Sequence, residues 1–167
     1  MSYTEIYTVD TNGDVRLYGE VNNAFAGAMH VWNTLNKKYD LQDSLFTEFK
    51  ETWSKFNQGF YETHEDIVLG STFDNVLVKK EHLDELIDAL DKYHAEHGDG
   101  NHLQQAELLW ELKNKDILAV AWCQTSVEND TWDYHYDEEL DEIIPYNINK
   151  GTKHWFLFDQ LLEKRGE

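Results

Sequence analysis

The chain has one cysteine and one proline in 167 residues. A lone thiol cannot form an intramolecular disulfide, which fits a reducing compartment. There is no Gly/Ser-rich run to act as a linker and no internal repeat. One α+β domain over residues 1–167 is therefore expected. Basic residues are also scarce: 14 Lys and Arg against 33 Asp and Glu give a formal charge of −19. The densest basic clusters are Lys37–Lys38, Lys79–Lys80 and Lys164–Arg165. None is a stripe able to displace counterions from nucleic acid, so direct nucleic-acid binding is not expected. The same field repels anionic membranes and attracts basic protein surfaces. No apolar run approaches the roughly 20 residues that span a bilayer. The opening "MSYTEIYTVD" has no basic n-region and no apolar h-region, so a cytoplasmic protein is expected.

Aromatic side chains are abundant, at 14% with 6 Trp. Each ring can bury roughly 150–250 Å², which argues for a packed core despite the charge. Residues 3–9 and 15–21 alternate and are rich in β-branched and aromatic types. Asn12-Gly13 between them suits a type I′ hairpin turn. Helical spacing of apolar residues covers 23–39 and 44–56. The stretch 57–66 reads as a loop, and "DIVLGSTF" and "NVLVK" read as short β runs. The clearest helix is "KEHLDELIDALDKYHAEHG", with Leu83, Leu86, Ile87, Leu90 and Tyr93 on one face. A further helix over 101–113 places Leu103, Ala106, Leu109 and Trp110 inward. Residues 117–123 are continuously apolar, as in a central strand buried on both faces. A closing helix is expected in "KHWFLFDQLLEKR". The fold expected is a small, mostly antiparallel sheet, built from the hairpin and strand 117–123, packed with about five helices.

The charge is concentrated. In "VENDTWDYHYDEELDEII", residues 127–144, eight of eighteen residues are acids: Glu128, Asp130, Asp133, Asp137, Glu138, Glu139, Asp141 and Glu142. Trp132, Tyr134 and Tyr136 are threaded among them. On the 81–96 helix, Glu81, Asp84, Glu85, Asp88 and Asp91 follow i, i+3, i+4, i+7, i+10, which makes a carboxylate ridge on the solvent side. DNA carries one phosphate per roughly 1.7 Å of axis. A helical acid row gives about one charge per 5 Å, so two or three rows approach duplex density. Solvated charge is the ordinary reading of such runs. The interleaved rings favour a recognition surface, because Trp and Tyr are frequent binding anchors.

Chemistry-bearing motifs are weak by comparison. "DTNGD" superficially resembles a calcium loop. Counted from Asp10, however, positions 6 and 12 hold Val15 and Val21 instead of Gly and Glu. His94, His97 and His102 lie close in sequence and are the candidate metal ligands. No HExxH or CxxC accompanies them. Cys123 lacks any nucleophile signature and fits a small core residue, although His135 or His154 would be the base if it reacted.

The strings "GSTFDNVLVKKEHLDELIDAL", "AWCQTSVENDTW" and "PYNINKGTKHWFLFD" resemble small acidic proteins of unknown function encoded by phages and prophages. The similarity runs from the opening hairpin to "HWFLFD". It carries over no catalytic residue and implies no cofactor. What it implies is a context, since small acidic accessory proteins of mobile elements often antagonise host defence nucleases, some by imitating DNA charge. The function expected is therefore binding and inhibition of a basic, nucleic-acid-handling or defence protein. The surface would comprise Glu128, Asp130, Trp132, Asp133, Tyr134, Tyr136, Asp137, Glu138, Glu139, Asp141 and Glu142, with Asp84, Asp88 and Asp91. Two rivals are a nucleotide-like small-molecule binder with a pocket of Trp122, Trp132, Tyr134 and His135, and a metal-dependent hydrolase on the histidine cluster. Neither enzyme activity nor a cofactor is expected.

Overall fold

The computed structural model describes residues 3–23, 27–98, 100–125, 132 and 135–164. Two strands open the chain, β1 (Tyr3–Val9) and β2 (Val15–Asn22). Three helices follow: α1 (Gly27–Lys38), α2 (Lys50–Asn57) and α3 (Thr63–Gly70). Then come β3 (Val76–Lys79), α4 (Leu83–His97), α5 (His102–Leu112) and β4 (Ala119–Gln124). The chain ends with β5 (His135–Asp137), β6 (Glu142–Ile144), β7 (Trp155–Phe156) and α6 (Leu157–Lys164). The main sheet has the order β2-β1-β4-β3-β7, and β5 and β6 form a separate hairpin. All pairs are antiparallel except β3 with β7, so the α+β reading holds.

All six residues of β4 are buried, as its unbroken apolar run required. Val120 and Trp122 face the large core under the helices, with Ile6, Val76 and Val78. Ala119, Ala121 and Cys123 face the other way, with Tyr7, Val9 and Leu77. Trp132 completes that second layer, and Tyr146, Ile148 and Phe156 pack against it. A helical layer therefore seals one side of the sheet, and Trp132, Tyr146 and Ile148 pack over the other. A buried polar chain fixes the helical layer to the sheet. Trp122 donates its indole N–H to Gln105, and Gln105 donates to Asn101. Asn101 donates in turn to Asn23 at 2.7 Å. The buried polar groups of Trp122, Gln105 and Asn101 thereby have partners, which avoids the cost of an unmade bond.

Several local expectations change. The hairpin is present, but Asn12 has no positive φ; Gly13 has, at 89°. Asp10 accepts the Gly13 N–H on its carbonyl and the Asn12 and Asp14 N–H groups on its carboxylate. The turn is thus closed around Asp10, with Gly13 as the left-handed residue that follows it, and is not type I′. The 44–56 helix is broken. A 3-10 turn at Leu45–Thr47 ends where Glu48 and Phe49 take φ of 56° and 51°, and α2 starts afterwards. "DIVLGSTF" is mostly α3 instead of a strand. Seven of the eight α3 residues are buried, so no polar face marks a helical period. At its end Gly70 lies against Leu157, where a Cβ would collide. Trp155 and Phe156 are an edge strand, and α6 begins only at Leu157.

Candidate functional site

Three clefts lie side by side across the helical layer. The first, about 500 Å³, is lined by Glu20 of β2 and by Gln104, Glu107, Leu108 and Glu111 of α5. The second, about 420 Å³, runs between α4 and α5. Ile87, Leu103, Ala106 and Trp110 form its floor, and Asp91, Glu107 and Glu111 its walls. The third, about 560 Å³, lies on the far side of α4, with Glu62, His64, Glu85, Asp88 and Lys92 around it. Carboxylates thus edge every cleft. The expected ridge on α4 is present, since Glu81, Asp84, Glu85, Asp88 and Asp91 are all exposed. Asp84 is ion-paired to Lys113 at 2.6 Å.

Trp110 is 62% exposed and Leu103 39%, although the sequence placed both inward. The buried stripe of α5 is His102, Gln105, Ala106, Leu109 and Leu112. Leu103, Ala106 and Trp110 form a second stripe at equally good spacing. Two polar residues took the inward side: Gln105, hydrogen-bonded to Asn101 and Trp122, and His102, whose ring packs against that of Tyr93. The Lys113 ammonium stands 4.0 Å from the Trp110 ring centroid, so this exposed indole already engages one cation.

The second acidic region is split by the fold. Glu128, Asp130, Asp133 and Tyr134 lie outside the described residues, as does Asp99. Trp132 is not a surface anchor: it is 2% exposed and donates its indole N–H to the Trp122 carbonyl at 2.9 Å. Tyr136, Glu138, Glu139, Asp141 and Glu142 are exposed on the β5–β6 hairpin. Tyr136 donates to Asp141, and the half-buried Asp137 carboxylate accepts the N–H groups of Glu139 and Leu140. Leu140 and Ile143, each 63% exposed, add apolar surface there. The flanks of this hairpin, Trp132 and Tyr146, pack on the sheet face opposite to that covered by α4 and α5. The two acidic regions are consequently carried by opposite sides of the sheet.

Of the residues expected to line an aromatic pocket, Trp122 and Trp132 are core residues. Trp122 is 1% exposed, both indole N–H groups are satisfied inside, and Tyr134 and the His135 side chain lie outside the described part. Cys123 is buried in β4, and His154 is hydrogen-bonded to the Tyr146 hydroxyl at 2.8 Å.

The histidines surround Tyr93. His30 Nδ1 is 2.8 Å from its hydroxyl, and the His97 and His102 rings lie 4.8 and 4.6 Å from its ring. Buried nitrogens of His94, His97 and His102 have no hydrogen-bond partner. Burial, with lesser repulsion from His30, His94 and His97, pushes His102 down to about 3. Among the described residues His94, His97 and His102 do not converge as a ligand set. The group that does converge is Glu62, His64, Glu65 and Glu96, with one ligand atom from each within 4.8 Å of the others. Sequence reading missed it because "ETHED" looked like a loop. Its one signal was the Glu62–Glu65 spacing, which forms a capping box at the start of α3. Glu65, with no side-chain exposure, accepts from Lys38 Nζ at 2.7 Å and from the Tyr39 hydroxyl. Burial pushes the Glu65 carboxyl up, but these bonds outweigh it and hold the group below its usual range.

No protein family, curated protein or solved structure matches the chain. Among the described residues no helix is long and apolar enough to cross a membrane.

Proposed function

We propose that this protein is an interaction module that binds a basic, nucleic-acid-handling protein through the α4–α5 face. In its specific form it is a phage-type inhibitor of a host defence protein. One observation carries the reading: Trp110, 62% exposed, stands in a groove walled by Asp91, Glu107 and Glu111. Isolated exposed rings are ordinary, but a ring between two acid rows offers both halves of a binding hot spot. The carboxylates steer a basic partner, and the ring supplies the desolvated anchor. The α4 and α5 acids form two rows, with Glu20 of β2 across the cleft from Glu107 and Glu111, which supports charge imitation of a duplex. The β5–β6 hairpin is a second contact on the other side.

A tagged chain is exposed to nuclease-treated lysate, washed at low and high salt, and its partners are identified by mass spectrometry. The expected result is a stoichiometric nucleic-acid-handling protein that salt releases. The same capture is repeated with Asp88→Lys, Asp91→Lys and Glu107→Lys combined. Capture that neither salt nor this variant weakens overturns the reading.

A further inference from the structure

We infer that Glu62, His64, Glu65 and Glu96 form a binding site for one divalent transition-metal ion of the zinc or manganese class. Glu62, His64 and Glu65 sit within the first turn of α3 and its cap, and Glu96 comes from the last turn of α4. The two elements are brought together by an imidazole–carboxylate contact, His64 Nε2 to Glu96 Oε2 at 3.0 Å. Four donors from two rigid helix ends are a preorganised set, unlike a chance surface cluster of acids.

Burial divides the four into anchors and arms. Glu65 has no side-chain exposure and His64 has 7%, so both are already stripped of water and fixed. Glu62 and Glu96 are 59% and 33% exposed and can adjust. Glu62 and His64 open onto the 560 Å³ cleft, which gives an ion a path from solvent. Metal–oxygen and metal–nitrogen bonds of about 2.0–2.2 Å set donors roughly 3.3–3.6 Å apart in a tetrahedral site. The spread of 4.8 Å therefore needs a closure on the order of 1 Å, which falls to the exposed Glu62 and Glu96 arms.

The charge is also unbalanced. Three carboxylates meet a single lysine, since Lys38 bonds Glu65 and Glu62 at 2.7 and 3.4 Å and leaves Glu96 to the imidazoles. A fifth donor stands beside them. His97 Nε2 is buried, has no hydrogen-bond partner, and lies 3.7 Å from Glu96 Oε2. A buried imidazole nitrogen without a hydrogen bond is a cost that a ligand would relieve. Lys38, 33% exposed, can swing its ammonium into water as the ion enters. The imidazole disfavours calcium and magnesium, and the absence of thiolate disfavours soft ions.

The test is calorimetric titration of the whole, chelator-stripped protein with zinc chloride, manganese chloride and calcium chloride. One equivalent of zinc or manganese should bind, and calcium should not compete. His64→Ala and Glu96→Gln should each weaken binding on the order of tenfold or more. His94→Ala, outside the set, should leave affinity unchanged. Circular dichroism confirms folding, and Glu96→Gln, at a partly exposed side chain, decides the matter if His64→Ala does not fold. Failure of zinc and manganese to bind stoichiometrically overturns the site. So does equal affinity in every variant, which would mark diffuse attraction to the acidic surface. Either failure leaves the α4–α5 groove, read by its own pull-down, untouched.

Discussion

Lys38 Nζ stands 2.7 Å from Glu65 Oε2, on a carboxylate that has no solvent exposure of its own. The pair ties the end of α1 to the start of α3, and Tyr39 donates to the same carboxylate. Burial and this hydrogen bond push the Tyr39 hydroxyl up to about 12. Lys38→Met leaves a buried charge with one partner fewer. A loss of roughly 2–3 kcal/mol is expected, below the full cost of an enclosed pair because Lys38 reaches water. Urea unfolding checks it, and an unchanged midpoint would show that the contact is incidental.

Acid should destabilise this protein earlier than carboxylate titration alone predicts. His102 protonates near 6.5 when unfolded but is held at about 3 when folded. The unfolded chain therefore binds more protons in this interval, and stability falls as pH drops below 6.5. His97 is also held low, by burial, and adds in the same direction. His102 alone should remove roughly 2 kcal/mol between pH 7 and pH 5. Melting followed over that range should flatten in His102→Gln. An equal slope in the variant would assign the effect elsewhere.

Two tryptophans should behave oppositely. Trp132→Ala removes a 2% exposed ring and its indole bond, and should cost roughly 3–5 kcal/mol. Trp110→Ala should change folding stability by no more than about 0.5 kcal/mol. It should weaken partner binding by about 2 kcal/mol, or roughly thirtyfold. Thermal melts of both variants, with one binding assay, separate the roles.

Combined Asp137→Lys, Glu138→Lys and Glu139→Lys tests the hairpin in the same assay. Glu138 and Glu139 are exposed, while the Asp137 carboxylate caps two N–H groups, so a small local loosening is expected without global unfolding. A binding loss comparable to that of the α4–α5 reversal would make the hairpin an equal partner surface. No loss would confine recognition to the helical face.

Much of the fold was legible because half-buried elements write their environment into the sequence. The α4 ridge was readable since one side meets core and the other meets water. The β4 strand was readable since both sides meet core. Burial on every side made α3 unreadable as a helix, and two equal stripes on α5 hid the true one. The candidate metal centre was invisible for another reason. His64 and Glu96 are 32 positions apart, and only the packing of α3 on α4 joins them. Conversely, His94, His97 and His102 are close along the chain, yet the His97 and His102 rings pack against Tyr93 and the three form no ligand set among the described residues.

The strand order sets a sequence of events. β1 is flanked by β2 and by β4, and Thr4 meets Gln124 across 120 positions. As the chain leaves the ribosome, the hairpin forms first, and one edge of β1 stays open until β4 has emerged. Closure of such a distant pair is slow by loop entropy, and the open edge is the moment of greatest exposure to aggregation. Strong negative charge along the intervening α4 and α5 keeps nascent copies apart during that wait.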